Sequence, residues 1–408
     1  MTQTAPRPGT KTRLPGQFHL LWSASLIATL GDGVLLAALP LMAKSLSDDP
    51  QLIAGVATAG TVPWLLALVA GVVVDRHDRR LLMNGAQLVQ MALVALTAVI
   101  VTTGMTELWM LYLLAFGIGA AEVLFTASSQ AFVPTVVGRE HLEAANGRLI
   151  TTQTVSKQFL GPPIGGALFA FAVPLPFWLN AVTFGVSVLL ISRMRRVGPP
   201  AGNGQRRSMA HEIGEGLRWL VRHRLPRVLT LSAGAGNFCE WMALSVLVLF
   251  SSQVLHLGDQ GFGLLLGAMA IGGVIGGLLS GRVVRWFGAR QVAIGAQVIC
   301  PVAWIAIGTV GRDPVTVVLL FTAFSIAISL WSVVALSARQ RLIPDSLMGR
   351  VTSASRMLTF GAIPLGALCG GFIAKEFGLI APWIVGGVLS ALVTLATMPA
   401  MLRWDEEG

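Results

Sequence analysis

Apolar runs of bilayer length recur along this chain from end to end, and that recurrence leaves few folds open to it. A helix needs roughly 20 apolar residues to cross a hydrocarbon layer. We read twelve such runs, at approximately 18–45, 52–74, 81–103, 107–134, 145–171, 174–194, 227–256, 261–284, 290–311, 315–341, 349–376 and 379–402. With 54% hydrophobic and 12% charged residues and a mean hydropathy of +0.73, a water-soluble domain is excluded, because it would expose too much contiguous apolar surface. No stretch shows the alternation of a membrane barrel strand. The fold class is therefore all-α integral membrane, with twelve transmembrane helices. Residues 1–16 carry Arg7, Lys11 and Arg13 without an apolar core and cleavage site, so the first helix is expected to be retained.

The net charge of +10 would suit nucleic acid by magnitude, but its placement argues against that partner. Only Lys44, Arg312 and Lys375 fall on one side of this threading and Lys157 within a span, which leaves 25 of the 29 Lys and Arg on the opposite side. Positive residues are retained in the cytoplasm, so both termini are expected there, in the cell inner membrane. Cys239, Cys300 and Cys369 lie in apolar segments and read as small buried residues. His211 and Glu212 begin a zinc-protease-like pattern, but Glu215 stands where the second His is needed, so no metal and no cofactor is expected.

The chain is also doubled. GVVVDRHDRR, Gly71 to Arg80, returns as GRVVRWFGAR, Gly281 to Arg290, and Gln130 and Pro134 return as Gln340 and Pro344, in each case 210 positions later. Gly165 and Gly166 have counterparts in Gly370 and Gly371 at a slightly different offset. Six spans per half give both halves one orientation, related by an axis along the membrane normal. The organisation expected is a tail (1–17), a six-helix bundle (18–194), a linker (195–226), a second bundle (227–402) and a tail (403–408). In the linker, Ile213, Leu217, Leu220 and Val221 share one helical face, which suits a helix on an anionic leaflet.

These features resemble the major facilitator superfamily of transporters, with two six-helix bundles around a central cavity. Gly71, Asp75, Arg76, Arg79 and Arg80 match that family's signature loop between the second and third helices, and Asp78 stands where the family has glycine at the turn. The second copy keeps Gly281, Gly288 and Arg290 and has Arg285 in place of the acid. The resemblance implies a conformational latch, with Asp75 suited to a helix N-terminus. Residues 129–146 and their echo at 337–356 resemble the drug and siderophore exporter branch that includes macrolide efflux proteins and the enterobactin exporter. LGPPIGG, Leu160 to Gly166, resembles the end of the antiporter signature, with Lys157 at the upstream glycine position.

A charge in the hydrocarbon core costs at least roughly 2.5 kcal/mol, so each one is a functional candidate. Asp32, Glu122, Lys157 and Glu240 each lie roughly 20 Å along their helices, near mid-depth. Asp32, Glu122 and Glu240 are the proton-coupling candidates, and Lys157 has two possible partners, Glu122 and Asp32. By resemblance the first, fourth, seventh and tenth spans line the cavity. The substrate-binding set is Asp32, Glu122, Thr126, Lys157, Asn237, Glu240, Trp241, Ser325, Ser329 and Trp331. The expected activity is proton-coupled efflux of an amphipathic drug, antibiotic or siderophore by alternating access. The expected partners are that small molecule, the proton and membrane lipid, with the protein a monomer. The rivals are an importer or flippase for a metabolite or lipid, and an integral membrane enzyme. For the enzyme we find no Asp-rich diphosphate motif, no nucleophile elbow and no Walker lysine.

Overall fold

The computed structural model describes residues 15–138, 141–195, 209–344 and 347–404. Among these, nine uninterrupted helices are long and apolar enough to cross a bilayer. They are the first span (Gly16–Leu46), the third (Arg79–Thr103), the fourth (Leu108–Val136), the sixth (Leu175–Ser192), the eighth (Asp259–Phe287), the ninth (Ala289–Val310), the tenth (Pro314–Leu342), the eleventh (Met348–Phe377) and the twelfth (Ala381–Leu402).

Three spans are interrupted. The second runs as Pro50–Thr61 and Ala67–Arg76, joined by a 3₁₀ turn at Val62–Leu66. Pro63 lies in that turn, and a proline removes an N–H and collides with the preceding turn of an α-helix. The fifth runs as Leu142–Thr152 and Gly161–Phe171, joined by a π turn at Gln153–Leu160. Pro162 and Pro163 follow immediately, and widening the turn ahead of them is one way to absorb the missing donors. The seventh bends by 41° where Arg224–Leu244 meets Leu247–Val254, at a position that no proline marks. Counting each of these three broken segments as one span gives, among the described residues, the twelve expected from the sequence.

The glycines flanking Asp32 do not break the first helix, which is continuous from Gly16 to Leu46. They admit other helices instead. A Cβ at Gly33 would lie 2.8 Å from Lys157 Cα and 2.9 Å from Gly161 Cα, and one at Gly31 would lie 2.9 Å from Asn180 Cγ. The first span is thereby held against the fifth with backbones nearly touching, and against the side chains of Asn180 and Thr183 of the sixth. Across the two halves the fifth span packs on the eighth and the second on the eleventh. A Cβ at Gly166 would meet Gly263 Cα at 3.0 Å, and one at Gly371 would meet Ala54 Cβ at 2.6 Å. Small residues at such crossings let lipid-embedded helices associate through close packing, since lipid supplies no hydrophobic drive between them. Leu113, Val182, Leu278 and Leu395 are exposed, as residues facing acyl chains are.

The linker helix, Met209–Arg222, does not keep its whole apolar face for a leaflet. Gly216 packs on the backbone of Arg350 and Val351, Leu220 is buried with Ile343 and Val351, and Glu215 pairs with Arg350 at 2.7 Å. Val221 remains exposed. The stripe splits because its glycine and Leu220 find a protein surface, the end of the eleventh span, to bury against. The side chains of His211, Glu212 and Ile213 lie outside the described residues.

Gly161→Ala is expected to destabilise the protein by about 1–3 kcal/mol, the usual cost of overpacking, because its new Cβ collides with the backbone at Gly33. Gly273→Ala, where a Cβ meets nothing within 4 Å, is expected to be neutral or mildly stabilising, since alanine is the better helix former. Thermal unfolding of the two purified variants in detergent compares them.

Candidate functional site

The first half gathers charge from three helices. Lys157 Nζ donates to Glu122 Oε1 across the fifth and fourth spans, and both side chains remain about a quarter exposed, at 24% and 26%. Asp32 of the first span lies close enough to both to interact electrostatically. Of the two possible partners of Lys157, the direct bond thus goes to Glu122. The local sequence accounts for the meeting: Gly33 lets the backbone at Lys157 approach, and the π turn carries Lys157 at that crossing. Two carboxylates around one ammonium leave the group with one uncompensated negative charge when all three are ionised. Thr126, one turn beyond Glu122, is half-buried, and Gln153 and Gln158 are exposed on the π turn.

The second half arranges its candidates differently. Glu240 is half-buried and has Cys300 of the ninth span, not the three charges, as its electrostatic neighbour. Asn237 Nδ2 donates to the Thr359 carbonyl at 2.8 Å, joining the seventh and eleventh spans. Ser325 and Ser329 face the eighth span. Ser329 Oγ donates to the Gly273 carbonyl at 3.0 Å, and a Cβ at Gly272 would lie 2.8 Å from Ser325 Cβ. Trp331 is buried beside Val292 and Ala296 of the ninth span, with its Nε1 unpartnered among the described residues. Trp241 is half-buried next to Glu240. Asp32, Glu122 and Lys157 therefore come together, while Asn237, Ser325, Ser329 and Trp331 sit in helix contacts of the other half.

The loop expected to act as a latch makes its bonds within its own half. Arg79 is buried and donates to the Ala131 carbonyl at 2.8 Å. Arg80 Nε donates to the Ile191 carbonyl at 3.2 Å, and its Nη2 donates to the Ser192 carbonyl. Arg290, its repeat partner, bonds the carbonyls of Leu402 and Trp404 at 3.4 and 3.5 Å, the same attachment at the end of the twelfth span. Asp78, not Asp75, takes the helix N-terminus, accepting from Arg80 N at 2.9 Å. Asp75 lies in the last turn of Ala67–Arg76, with its side chain outside the described residues. The second copy solves the same turn with Gly288 at φ 81°, a left-handed value that favours glycine. Arg76 is exposed, and Gly71 has open space around it.

Residues that the sequence reading passed over close the opposite face, that of the short links. Asp49 pairs with Lys375 at 2.6 Å and Lys44 with Asp259 at 4.0 Å, and each pair joins the two halves. Asp49 and Asp259 are themselves 210 positions apart, so the repeat offset was the signal that could have found them. Deeper in the same seam Trp64 stacks on Phe360, centroids 5.6 Å apart, and Arg356 lies 5.6 Å from that ring. Lys375 beside Asp49 holds its carboxyl below the usual range, helped by the Gln51 N–H.

A family model described as "Transmembrane secretion effector" matches residues 14–407. The chain is similar to the multidrug efflux pump Tap of Mycobacterium tuberculosis, 26% identical over 416 residues that cover 96% of this chain and 95% of that one. It is also similar to the enterobactin exporter EntS of Citrobacter koseri, 24% identical with 93% and 91% covered. Among solved structures it resembles the nucleoside transporter NupG (TM-score 0.79, 12% identity, 95% of this chain and 100% of that one). A second likeness is to a bacterial homologue of the iron transporter ferroportin in an inward-facing state (TM-score 0.70, 19% identity, 94% and 99%).

Asp49→Asn is expected to loosen the short-link face. An exposed pair is worth up to about 1 kcal/mol, so the balance between states facing either side shifts by up to roughly fivefold. Distances between spin labels on the second and eleventh spans read this shift. A depressed carboxyl contributes stability that is present above its ordinary value of about 3.9 and is lost only as pH falls through the lowered one. The effect of the substitution is therefore expected to be equal at mildly acidic and mildly alkaline pH.

Proposed function

The chain belongs to the transmembrane secretion effector family of major facilitator transporters, and from that premise we propose that it is a proton-coupled antiporter exporting an amphipathic small molecule. It is a transporter and not an enzyme. The observation that carries the proposal is the group Asp32, Glu122 and Lys157, two acids sharing one cation between three helices. With both acids ionised the group carries one net negative charge and attracts a proton or a cationic substrate. With one protonated it is neutral and no longer holds a cationic substrate. Competition for that charge is the simplest form of exchange.

The fifth span supplies the link from charge to movement. It carries Lys157, touches the first span at Gly33, and touches the other half at Gly263. A change in what Lys157 pairs with therefore takes place on a helix that itself lies in the seam along which the halves rock. Glu240, with no paired cation among the described residues, is the second acid on the route, facing the same cargo from the other half. Retention of the arginine-rich face in the cytoplasm makes the closed short-link face the outer one, so the described state receives cargo from the cytoplasm. Relatives named as a multidrug efflux pump and an enterobactin exporter support outward transport of drugs or siderophores across the inner membrane.

Everted membrane vesicles test the proposal with a panel of fluorescent amphipathic cations. An inward-acid gradient is expected to drive their accumulation in wild type, and Asp32→Asn is expected to reduce it by at least about tenfold, the equivalent of losing about 1.4 kcal/mol of coupling. Lys157→Met, which leaves both acids without their cation, is expected to change the pH dependence of accumulation, whereas Lys157→Arg, which keeps the charge, is expected to preserve it. Gradient-independent accumulation, or wild-type activity in Asp32→Asn, Glu122→Gln and Glu240→Gln alike, would overturn it.

A further inference from the structure

Below the second half, on the arginine-rich face, the seventh, tenth and eleventh spans and the linker helix line a partly open cavity of about 330 Å³. Leu220, Pro226, Ile343 and Met348 make its walls apolar. Into this lining projects Arg339. Its Nε is buried with no partner, its Nη2 makes one long bond to the Leu229 carbonyl at 3.4 Å, and no carboxylate among the described residues pairs with it. Thr230 and Ser355 share a hydrogen bond of 2.9 Å on the same wall, and Thr352 completes the polar side.

A half-buried guanidinium whose Nε donor is buried without a partner is costly unless an anion meets it. The nearby cation Arg350 is already committed to Glu215 at 2.7 Å, so the arginines here do not share one acid. We propose that this cavity is a binding site for an amphipathic anion, a phosphate or carboxylate head held by Arg339 with a short apolar stem against Leu220 and Ile343. Arginine matches such oxyanions with paired N–H donors. The volume lies at the small end of ligand sites, which run from about 300 Å³ upward, so it takes a head group and the first carbons of a chain and not a bulky molecule. The position, at the end of the spans nearest the positive face, is also where anionic lipid head groups lie. Because Leu220 comes from the linker helix, an occupant ties that helix to the tenth and eleventh spans.

Two sources share this chemistry, an inner-leaflet lipid and a free amphiphile, and the test separates them. Full-length protein is followed by thermal unfolding in detergent with dodecyl phosphate or, as control, dodecanol, and in nanodiscs of phosphatidylcholine with and without phosphatidylglycerol. Dodecyl phosphate and not dodecanol is expected to raise the midpoint. Arg339→Gln is expected to weaken that response by at least about tenfold, the loss that follows removal of a charge-assisted bond. Thr352→Trp, which fills the cavity and leaves the charge in place, is expected to abolish it and keeps the test decisive should Arg339→Gln fold poorly. Stabilisation by phosphatidylglycerol that both substitutions remove assigns the site to lipid, and a response to dodecyl phosphate alone assigns it to a free anion. No stabilisation by either probe, or stabilisation of equal size in wild type and both variants, overturns the site.

Discussion

The fold depends on backbone contacts along two faces of the fifth span, one turned to the first span and one to the eighth. Gly161 meets Gly33 within the first half, and Gly166 meets Gly263 across to the second. Lipid gives two apolar helices no reason to leave it for each other, so association rests on how closely they can pack. Glycine at both partners brings the main chains together and leaves no room for a side chain. The same helix is widened at Gln153–Leu160 ahead of two prolines, and that widened turn carries Lys157. Packing and charge are thus built into one element: the contact that holds the fifth span against its neighbours also sets where its ammonium lies.

The doubling of the chain survives as geometry more than as chemistry. Arg80 and Arg290 each bond the carbonyl end of the last helix of their own half. Asp49 and Asp259 each pair with a lysine of the opposite half. Where the halves diverge, each keeps the shape by different means, as in the turn capped by Asp78 in one copy and made by Gly288 in the other. The divergence is greatest where charge sits. Asp75 stands against Arg285 in the loop, and a three-charge group in the first half stands against a single glutamate in the second. Two bundles of one shape thereby present unlike surfaces to whatever lies between them, which is what a carrier of an asymmetric cargo requires.

The two faces of the membrane protein are held differently. Ion pairs and glycine contacts between the halves lie toward the short links, whereas among the described residues Arg79 and Arg80 of the signature loop bond their own bundle. Closing the other face requires those arginines, or the helix ends they hold, to meet the second half. A structure that keeps both sets of contacts at once would have no path for cargo.

Legibility in the sequence divides along a clear physical line. Hydropathy and charge act on each residue separately against a bilayer, so the number of spans, their halves, the arginine-rich face and the mid-depth charges could all be read from apolar runs, the repeat offset and the positions of Lys and Arg. Partnership depends on how each helix is rotated about its axis and how near its neighbour comes, and one dimension does not contain that. Ser325 and Ser329 form a polar stripe equally suited to a cavity or to another helix, and their neighbour in space is the glycine-lined eighth span. Gly31 and Gly33 read equally as a weak point or a contact, and the close approach of the fifth and sixth spans makes them contacts. Sequence alone determined that charges lie within the spans of a doubled, twelve-span membrane protein; only the tertiary structure decided that Lys157 bonds Glu122 beside Asp32, because the pairing follows from a backbone crossing that no run of residues specifies.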